Sequence, residues 1–349
     1  MTAIKILITG ATGYIGGSVL STLLKSTDSN IKNAEYSALV RKQEHADLLG
    51  KHGVKGILFS GLEDVDAVRK AASEHDVVIN TASAFQPGAA GAIIDGLSDR
   101  KKQTGKEAYL IHTSGTSSIG DRPITKTFTE TRILSDEDDI YAYERKREDQ
   151  EAYAQRTTDL VVFEKGDEAA IKYYILMSPT IYGIGSGLFN RTSIQIDGIM
   201  RAARRDGYTS VIGSGAAEWD HVHIEDLVAL YELILSRALA GADEDDLPSN
   251  RRGLYFNETG HHTWREISDR VAAEGAALGH LGSDEVREVS LEDGSKAFGP
   301  PPFVAELGFS SRARSRADKA RRIGWKPTKT RKDFEDSFAE EWRFIGKEE

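Results

Sequence analysis

The stretch Asp139–Asp159, DIYAYERKREDQEAYAQRTTD, sets three tyrosines among arginines, a lysine and acids, ahead of an apolar run. A phenol titrates at about 10 and moves protons near neutral pH only where a cation or hydrogen bond stabilises its anion. Tyr141 and Tyr143 each have an arginine four residues on, Arg145 and Arg147. Arginine supplies charge, but it stays protonated and has a different shape from lysine. The same stretch also fits a charged surface segment in which Arg145/Asp149 and Arg147/Glu151 form i,i+4 pairs. Two other groups could do chemistry: the hydroxyls of HTSGTSSIG (112–120) and the glycines of ITGATGYIGG (8–17).

Gly10, Gly13 and Gly16 follow an apolar strand and open a helix, the context in which this spacing points to a dinucleotide. Gly10 permits the tight turn, Gly13 lets the backbone approach a pyrophosphate, and Gly16 allows close helix–strand contact. Thr12, Tyr14 and Ile15 complete the loop and the helix N-terminus, whose N–H groups and dipole face the phosphates. The second strand ends ALVRK. An acid there would accept bonds from a ribose 2′-hydroxyl. Arg41 and Lys42 suit a 2′-phosphate instead, so NADP(H) is expected ahead of NAD(H).

These residues need a frame. Apolar runs at 4–10, 35–41, 56–60, 76–83, 108–115 and 172–179 alternate with helical patterns at about 14–26, 43–52, 63–74, 88–104 and 148–165. Continuous apolar strands alternating with helices predict an α/β fold, a doubly wound parallel sheet covered on both faces. After Pro179 the rhythm breaks into a Gly-rich loop, a helix at about 193–206, and a helix whose Leu227, Leu230, Tyr231, Ile234 and Leu235 recur at helical spacing. The expected division is a Rossmann-type domain from 1–183 and 218–257, with a smaller substrate lobe from 184–217 and 258–349. The chain has 349 residues, a net charge of −10 and no cysteine. Disulfides, thiolate nucleophiles and Cys-ligated metals are thereby excluded. The acidic balance argues against nucleic acid. The basic run RARSRADKARR (312–322) is, against that balance, expected to be solvated and not a nucleic-acid footprint. No window approaches the roughly 18 apolar residues of a membrane span. The apolar strand beginning almost at Met1 leaves no room for a signal peptide, so a cytoplasmic location is expected.

On TGATGYIG, HTSGTSSIGD, SPTIYGIG, HVHIEDLVALY and ADKARRIGWKP, which together span nearly the whole chain, the sequence resembles the short-chain dehydrogenase/reductase superfamily. The likeness is to its extended or atypical branch, and HTSGT and IYGIGSG look most like fungal proteins of the NAD-dependent epimerase/dehydratase-like type. The resemblance implies a Rossmann domain, a C-terminal substrate lobe and a pocket between them. It implies that Thr81, Ala82 and Ser83, Thr113, Pro179 and Ile181 also bind the cofactor. It also implies an acid–base tyrosine, a lysine four residues later and a hydroxyl after the fifth strand.

Here the chain departs from the pattern. Tyr-x-x-x-Lys does not occur in the expected region. Counting back from the sixth strand puts Glu151 in the tyrosine slot and Gln155 in the lysine slot. Gly115 falls where the hydroxyl is usual, with Thr113, Ser114 and Thr116 beside it. The candidate catalytic residues are therefore Ser114, Thr113, Tyr182, Tyr141 and Tyr143. Tyr153 shares a helical face with Thr157, Leu160 and Val161 and is expected to pack. His221 and His223 are expected to be structural, and no His/Asp/Glu spacing suggests a metal. Asn190, Arg191 and Gln195 are the expected substrate-pocket polar groups. The function expected is an NADP(H)-dependent oxidoreductase acting on a small carbonyl or alcohol. The alternatives are a catalytically silent NADP(H) sensor, or an epimerase, isomerase or lyase on the same fold. A small-molecule substrate is expected, and a homodimer is compatible with the sequence.

Overall fold

Seven parallel strands form the centre of the molecule in a computed structural model that describes residues 3–347. The lobe ranges above include two residues at each end that lie outside the described residues. The strands are β1 (Lys5–Thr9), β2 (Glu35–Val40), β3 (Val54–Leu58), β4 (Val77–Asn80), β5 (Tyr109–Gly115), β6 (Lys172–Ser178) and β7 (Leu254–Phe256). They lie in the order β7-β6-β5-β4-β1-β2-β3. Every neighbouring pair is parallel, so each strand needs a crossover and helices cover both faces. That is why Ile6–Ile8, Val77–Ile79 and Tyr173–Met177 read as unbroken apolar runs: their side chains are buried on both faces of the sheet. Helix Tyr14–Leu23 packs on Ile224–Leu239, and Pro87–Thr104 lies between Val65–Ser73 and Ala154–Glu168. From β1 the order runs one way to β2 and β3 and the other way to β4 and β5. Such a switch point opens a crevice beyond the strands' carboxyl ends.

One expected helix is two. In place of 148–165 the chain forms Ile140–Gln150 and Ala154–Glu168. Asp139 accepts from the Ala142 amide at 2.9 Å and starts the first, so the charged tyrosine-rich stretch is a helix in its own right, with Arg145 and Asp149 paired at 2.6 Å. Glu151 and Tyr153 are extended where the helices part. Side chains take over the missing ladder there. Glu148 accepts from the Tyr153 amide (3.0 Å) and the Thr157 hydroxyl, while Arg156 Nη2 donates to the Glu151 carbonyl (2.6 Å).

The basic run also departs from expectation. Ser315–Arg316 is a short strand and only Asp318–Arg322 is helical. Arg314 binds Asp220 (2.7 Å), Arg312 donates to the Glu130 and Arg132 carbonyls, and Lys319 is buried against the carbonyls of Arg252 and Leu254. These charges stitch distant segments together instead of facing water. No helix among the described residues is long and apolar enough to cross a membrane.

Beyond the main sheet, Thr180–Tyr182, Glu218–His223 and Gly260–Thr263 form a second one. The C-terminal helix Arg331–Ile345 braces its end. Buried Glu341 accepts from the Gly183 amide at 2.9 Å, in the same turn whose carbonyl accepts from Tyr14 at 2.6 Å. Burial pushes the Glu341 carboxyl up to about 8. A folded-state value above the unfolded one means stability present below the unfolded carboxyl range and lost as pH rises through about 8. The stability difference between wild type and Glu341→Gln should therefore move against wild type by about 1.4 kcal/mol per pH unit from roughly pH 4.5 upward, levelling off near the folded value. Urea unfolding across pH 5–9 reads this directly, and parallel pH profiles would refute it.

Candidate functional site

At the switch point the strand-to-helix loop turns through Gly10 at φ +74°. A methyl there would meet Ala82 Cα at 2.7 Å. Gly13 precedes helix Tyr14–Leu23 with no side-chain cap and no acid in the first turn, leaving the terminal N–H groups for a ligand. A methyl at Gly16 would overlap the Gly10 carbonyl oxygen and Thr81 Oγ1. Beyond the loop opens a cleft of about 630 Å³. Of the residues expected at a cofactor, Gly10, Thr12, Gly13, Arg41, Lys42, Thr81 and Ala82 line it.

The others lie elsewhere. The Tyr14 hydroxyl is spent on Gly183, Ile15 packs on the core, and Ser83 Oγ accepts from the Phe85 amide at 3.1 Å. Thr113 is buried against the Tyr231 hydroxyl at 2.5 Å. Pro179 is buried, and Ile181 pairs with Val222 in the second sheet. Sequence reasoning missed His45 and the Phe59–Glu63 segment, which form the far wall. Their signal was the sheet order: β3 beside β2 brings its carboxyl end to the same mouth. Arg41 and Lys42 are exposed there, and Lys42 lies 3.3 Å from Glu44. Arg41 has no carboxylate partner among the described residues.

The hydroxyl-rich run lies where β5 gives way to the turn Thr116–Ile119. Between Leu110 and Gly120 only Gly115 and Ser117 keep partial exposure. A methyl at Gly115 would meet Gln155 Nε2 at 2.7 Å, so the glutamine amide fills the space that a side chain at 115 would take. Ser117 Oγ donates to Gln155 Oε1, and the Tyr153 hydroxyl donates to Ser117 Oγ at 3.1 Å. Tyr153 is thus not only a packing residue. It precedes helix Ala154–Glu168 instead of lying within it, and this turns its ring toward Ser117. Phe85 and Phe303 meet that ring edge-on, with centroids 5.7 and 5.6 Å away. The Arg156 guanidinium stands 5.3 Å from it. Burial raises the Tyr153 phenol to about 12, against the lowering effects of the Ser117 hydrogen bond and the Arg156 charge. The hydroxyl-rich run after β5 signalled Ser117, whereas nothing near Tyr153 in sequence announced Phe85 or Phe303.

The residues singled out in the sequence do not gather here. Tyr141 donates to Glu164 at 3.1 Å under the Arg251 guanidinium, on the outer side of its helix. Tyr143 points to the Ile119 carbonyl (3.4 Å) with Arg132 over its ring, and burial raises its phenol well above 10. Tyr182 is fully buried among His221, His223 and Phe334, and burial raises it likewise. Ser114 donates to buried Asp159 at 2.5 Å, beneath the site. Asn190 Oδ1 accepts from the Thr192 amide at 3.1 Å. Arg191 donates to the Gly185 carbonyl (2.6 Å) and lies over Phe344, so its charge holds the glycine loop. Gln195 bridges Thr180 and the Gly308 carbonyl.

The fold has many solved counterparts. A UDP-glucose 4-epimerase of Thermotoga maritima, solved with UDP-glucose, aligns with a TM-score of 0.63 at 14% identity, covering 99% of each chain. The dTDP-glucose 4,6-dehydratase DesIV of Streptomyces venezuelae, in a double mutant solved with NAD, gives 0.66 at 16%, covering 98% of this chain and 96% of that one. In sequence the chain is 27% identical over 333 residues to the oxidase ucsJ of an Acremonium species, covering 93% of this chain and 92% of that protein. It is 24% identical over 326 residues to an uncharacterized protein of Schizosaccharomyces pombe, covering 93% and 95%. The glycine turn, the switch-point cleft and strands β2 to β6 all fall within residues 6–247, which match the profile of the NAD dependent epimerase/dehydratase family; the chain belongs to that family.

Proposed function

We propose that the protein is an NADP(H)-dependent oxidoreductase acting on a small carbonyl or alcohol substrate. The observation that carries the cofactor choice is Arg41, exposed on the cleft at the end of β2 without a carboxylate partner among the described residues. A cation there suits a phosphate on the adenosine ribose, and arginine offers it a two-pronged donor face. The glycine cradle and the uncapped helix N-terminus fit a pyrophosphate: Gly10 and Gly16, where a methyl would collide with Ala82, Thr81 or the Gly10 carbonyl, let the loop and helix start lie close to the strand ends, and Gly13 leaves the terminal N–H groups open. A bound nicotinamide dinucleotide supplies or accepts a hydride at the substrate carbon. The chain's own part is to orient the substrate oxygen, handle its proton and keep water out.

Fluorescence titration tests this reading. NADPH should bind more tightly than NADH, and Arg41→Ala should weaken NADPH about 10- to 100-fold, the worth of a charged hydrogen bond to phosphate, while changing NADH little. Equal effects on both would refute it. The second reading, a silent NADP(H) sensor, draws on Gln155 standing in the lysine slot, since an amide supplies no charge. Tight NADPH binding with no oxidation across a carbonyl panel would favour it.

A further inference from the structure

We propose that Ser117 and Tyr153 form a two-hydroxyl proton relay that serves carbonyl reduction, and that the carbonyl it serves is carried by an apolar, ring-bearing molecule. This rests on the oxidoreductase reading above and adds the proton path and the substrate class.

Accessibility orders the relay. Tyr153 is 3% exposed, whereas Ser117 and Gly115 are the two partly open positions in their run. Ser117 Oγ is therefore the hydroxyl that meets a substrate oxygen, and Tyr153 stands behind it as proton source, 3.1 Å away. Gln155 fixes the polarity. Ser117 receives the Tyr153 hydrogen and must place its own, which it does on Gln155 Oε1. Gln155 Nε2 is thereby left facing the space beside Gly115, where an N–H donor can orient the substrate oxygen. Gly115 is required for this, because any side chain there would displace the amide.

The step balances. The carbonyl carbon takes a hydride from the reduced dinucleotide. The Ser117 hydroxyl turns from Gln155 Oε1 to the substrate oxygen, which takes its proton; Ser117 takes the Tyr153 proton, and the phenolate is left beside Arg156. Arg156 is fully buried and held by the Ser118 and Glu151 carbonyls at 2.9 and 2.6 Å, so its charge stays in place through the cycle. Water entering the cleft restores the proton through Ser117 after product leaves.

Packed between Phe85 and Phe303, Tyr153 rests as the neutral phenol, the form that donates to a developing alkoxide. The walls supply the substrate class. Phe85, 41% exposed after β4, and Phe303 from helix Pro302–Phe309 flank the relay. Arg122, the nearby cation, is engaged by Glu306 (2.7 Å) and Glu151 (3.1 Å). Arg122 also covers one face of Phe303 (4.3 Å), so exposed Phe85 and the open side of Phe303, with the local cations occupied, favour an apolar ring over a phosphorylated or carboxylated substrate.

The test combines binding, turnover and spectroscopy on the full chain. Wild type, Ser117→Ala, Tyr153→Phe and the double variant are titrated with NADPH. NADPH oxidation is then followed with aryl and cyclic ketones and with short linear aldehydes. Expected are NADPH affinities within about twofold of wild type and a kcat about 100-fold lower in each single variant. The double variant should be no slower than either single one, since both break one path, and Ser117→Thr should recover part of the rate. Ring-bearing carbonyls should be favoured at least about tenfold in kcat/KM, within the range an apolar pocket can discriminate. Independently of turnover, the 13Cζ tyrosine resonance absent from Tyr153→Phe should stay in the phenol form from pH 6 to 9 and move in Ser117→Ala. Oxidation of NADPH that survives either single substitution, or a resonance that titrates near neutrality or ignores Ser117→Ala, overturns the relay alone. Preference for linear aldehydes overturns the substrate class. Absence of NADPH binding, or of any oxidation across the panel, overturns the oxidoreductase reading and the relay with it.

Discussion

Gly16→Ala should weaken NADPH binding by at least about 100-fold and destabilise the fold by roughly 1–3 kcal/mol, the usual cost of forcing a methyl into a packed site. The added carbon would overlap the Gly10 carbonyl oxygen and Thr81 Oγ1 and lie 2.7 Å from the Gly10 carbonyl carbon. Neither neighbour can swing aside. Gly10 is the left-handed turn out of β1, and Thr81 donates to the Thr9 carbonyl at 2.6 Å. Relief must come from moving helix Tyr14–Leu23 away from the loop, which takes its N–H groups off the phosphate position. NADPH fluorescence and urea unfolding together check this. Binding within threefold of wild type would show that the glycine cradle is not the cofactor site.

Glu306→Ala should cost about 3–5 kcal/mol in urea unfolding at neutral pH, the range for removing one partner of a buried ion pair. Glu306 is fully buried and accepts from Arg122 Nε (2.7 Å) and from the amides of Ile124 and Thr125 (2.8 Å each). Alanine would leave the 6% exposed arginine with Glu151 alone and strand two amides. Glu306→Gln keeps an acceptor for the amides and should cost less. The position also bears on the site, because the same helix carries Phe303 onto Tyr153. Turnover should therefore fall in Glu306→Ala while NADPH affinity holds, the cofactor cleft being built from other segments. A loss below about 1 kcal/mol would mean that Glu151 alone satisfies Arg122 and that the two amides find other acceptors.

These two positions were unequally visible in the chain. Gly16 belongs to a local pattern, and its demand is imposed by residues within one strand–turn–helix unit and by the adjoining β4. Glu306 and Arg122 carried no signal, since their pairing joins segments far apart in the sequence. The same contrast divides the site. Arg41 and Lys42 follow the second strand, and a strand end has one place to go once the sheet is parallel. Tyr153 packs as expected, but against Phe85 and Phe303 and not on the assumed helical face, because the helix starts only after it. The break at Glu151–Tyr153 depends on Glu148 and Arg156 replacing ladder bonds, which periodicity does not reveal. Tyr141, Tyr143 and Tyr182 had the right chemistry by residue type, but their hydroxyls or rings are engaged or buried elsewhere. Asn190, Arg191 and Gln195 were placed by polarity alone, and their side chains hold backbone instead.

The sequence by itself determined the parallel α/β frame, the glycine turn and the basic end of β2, because apolar runs and turn glycines act through neighbours in the chain. It also showed that Tyr-x-x-x-Lys is absent from the expected region, and spacing set Gln155 in the lysine slot with Gly115, beside Ser114, near the hydroxyl slot. Only the tertiary structure brought Gly115, Ser117, Tyr153 and Gln155 together under Phe85 and Phe303. Each of those contacts is set by where a helix breaks and by how a distant segment packs on it, and neither is a property of any local stretch.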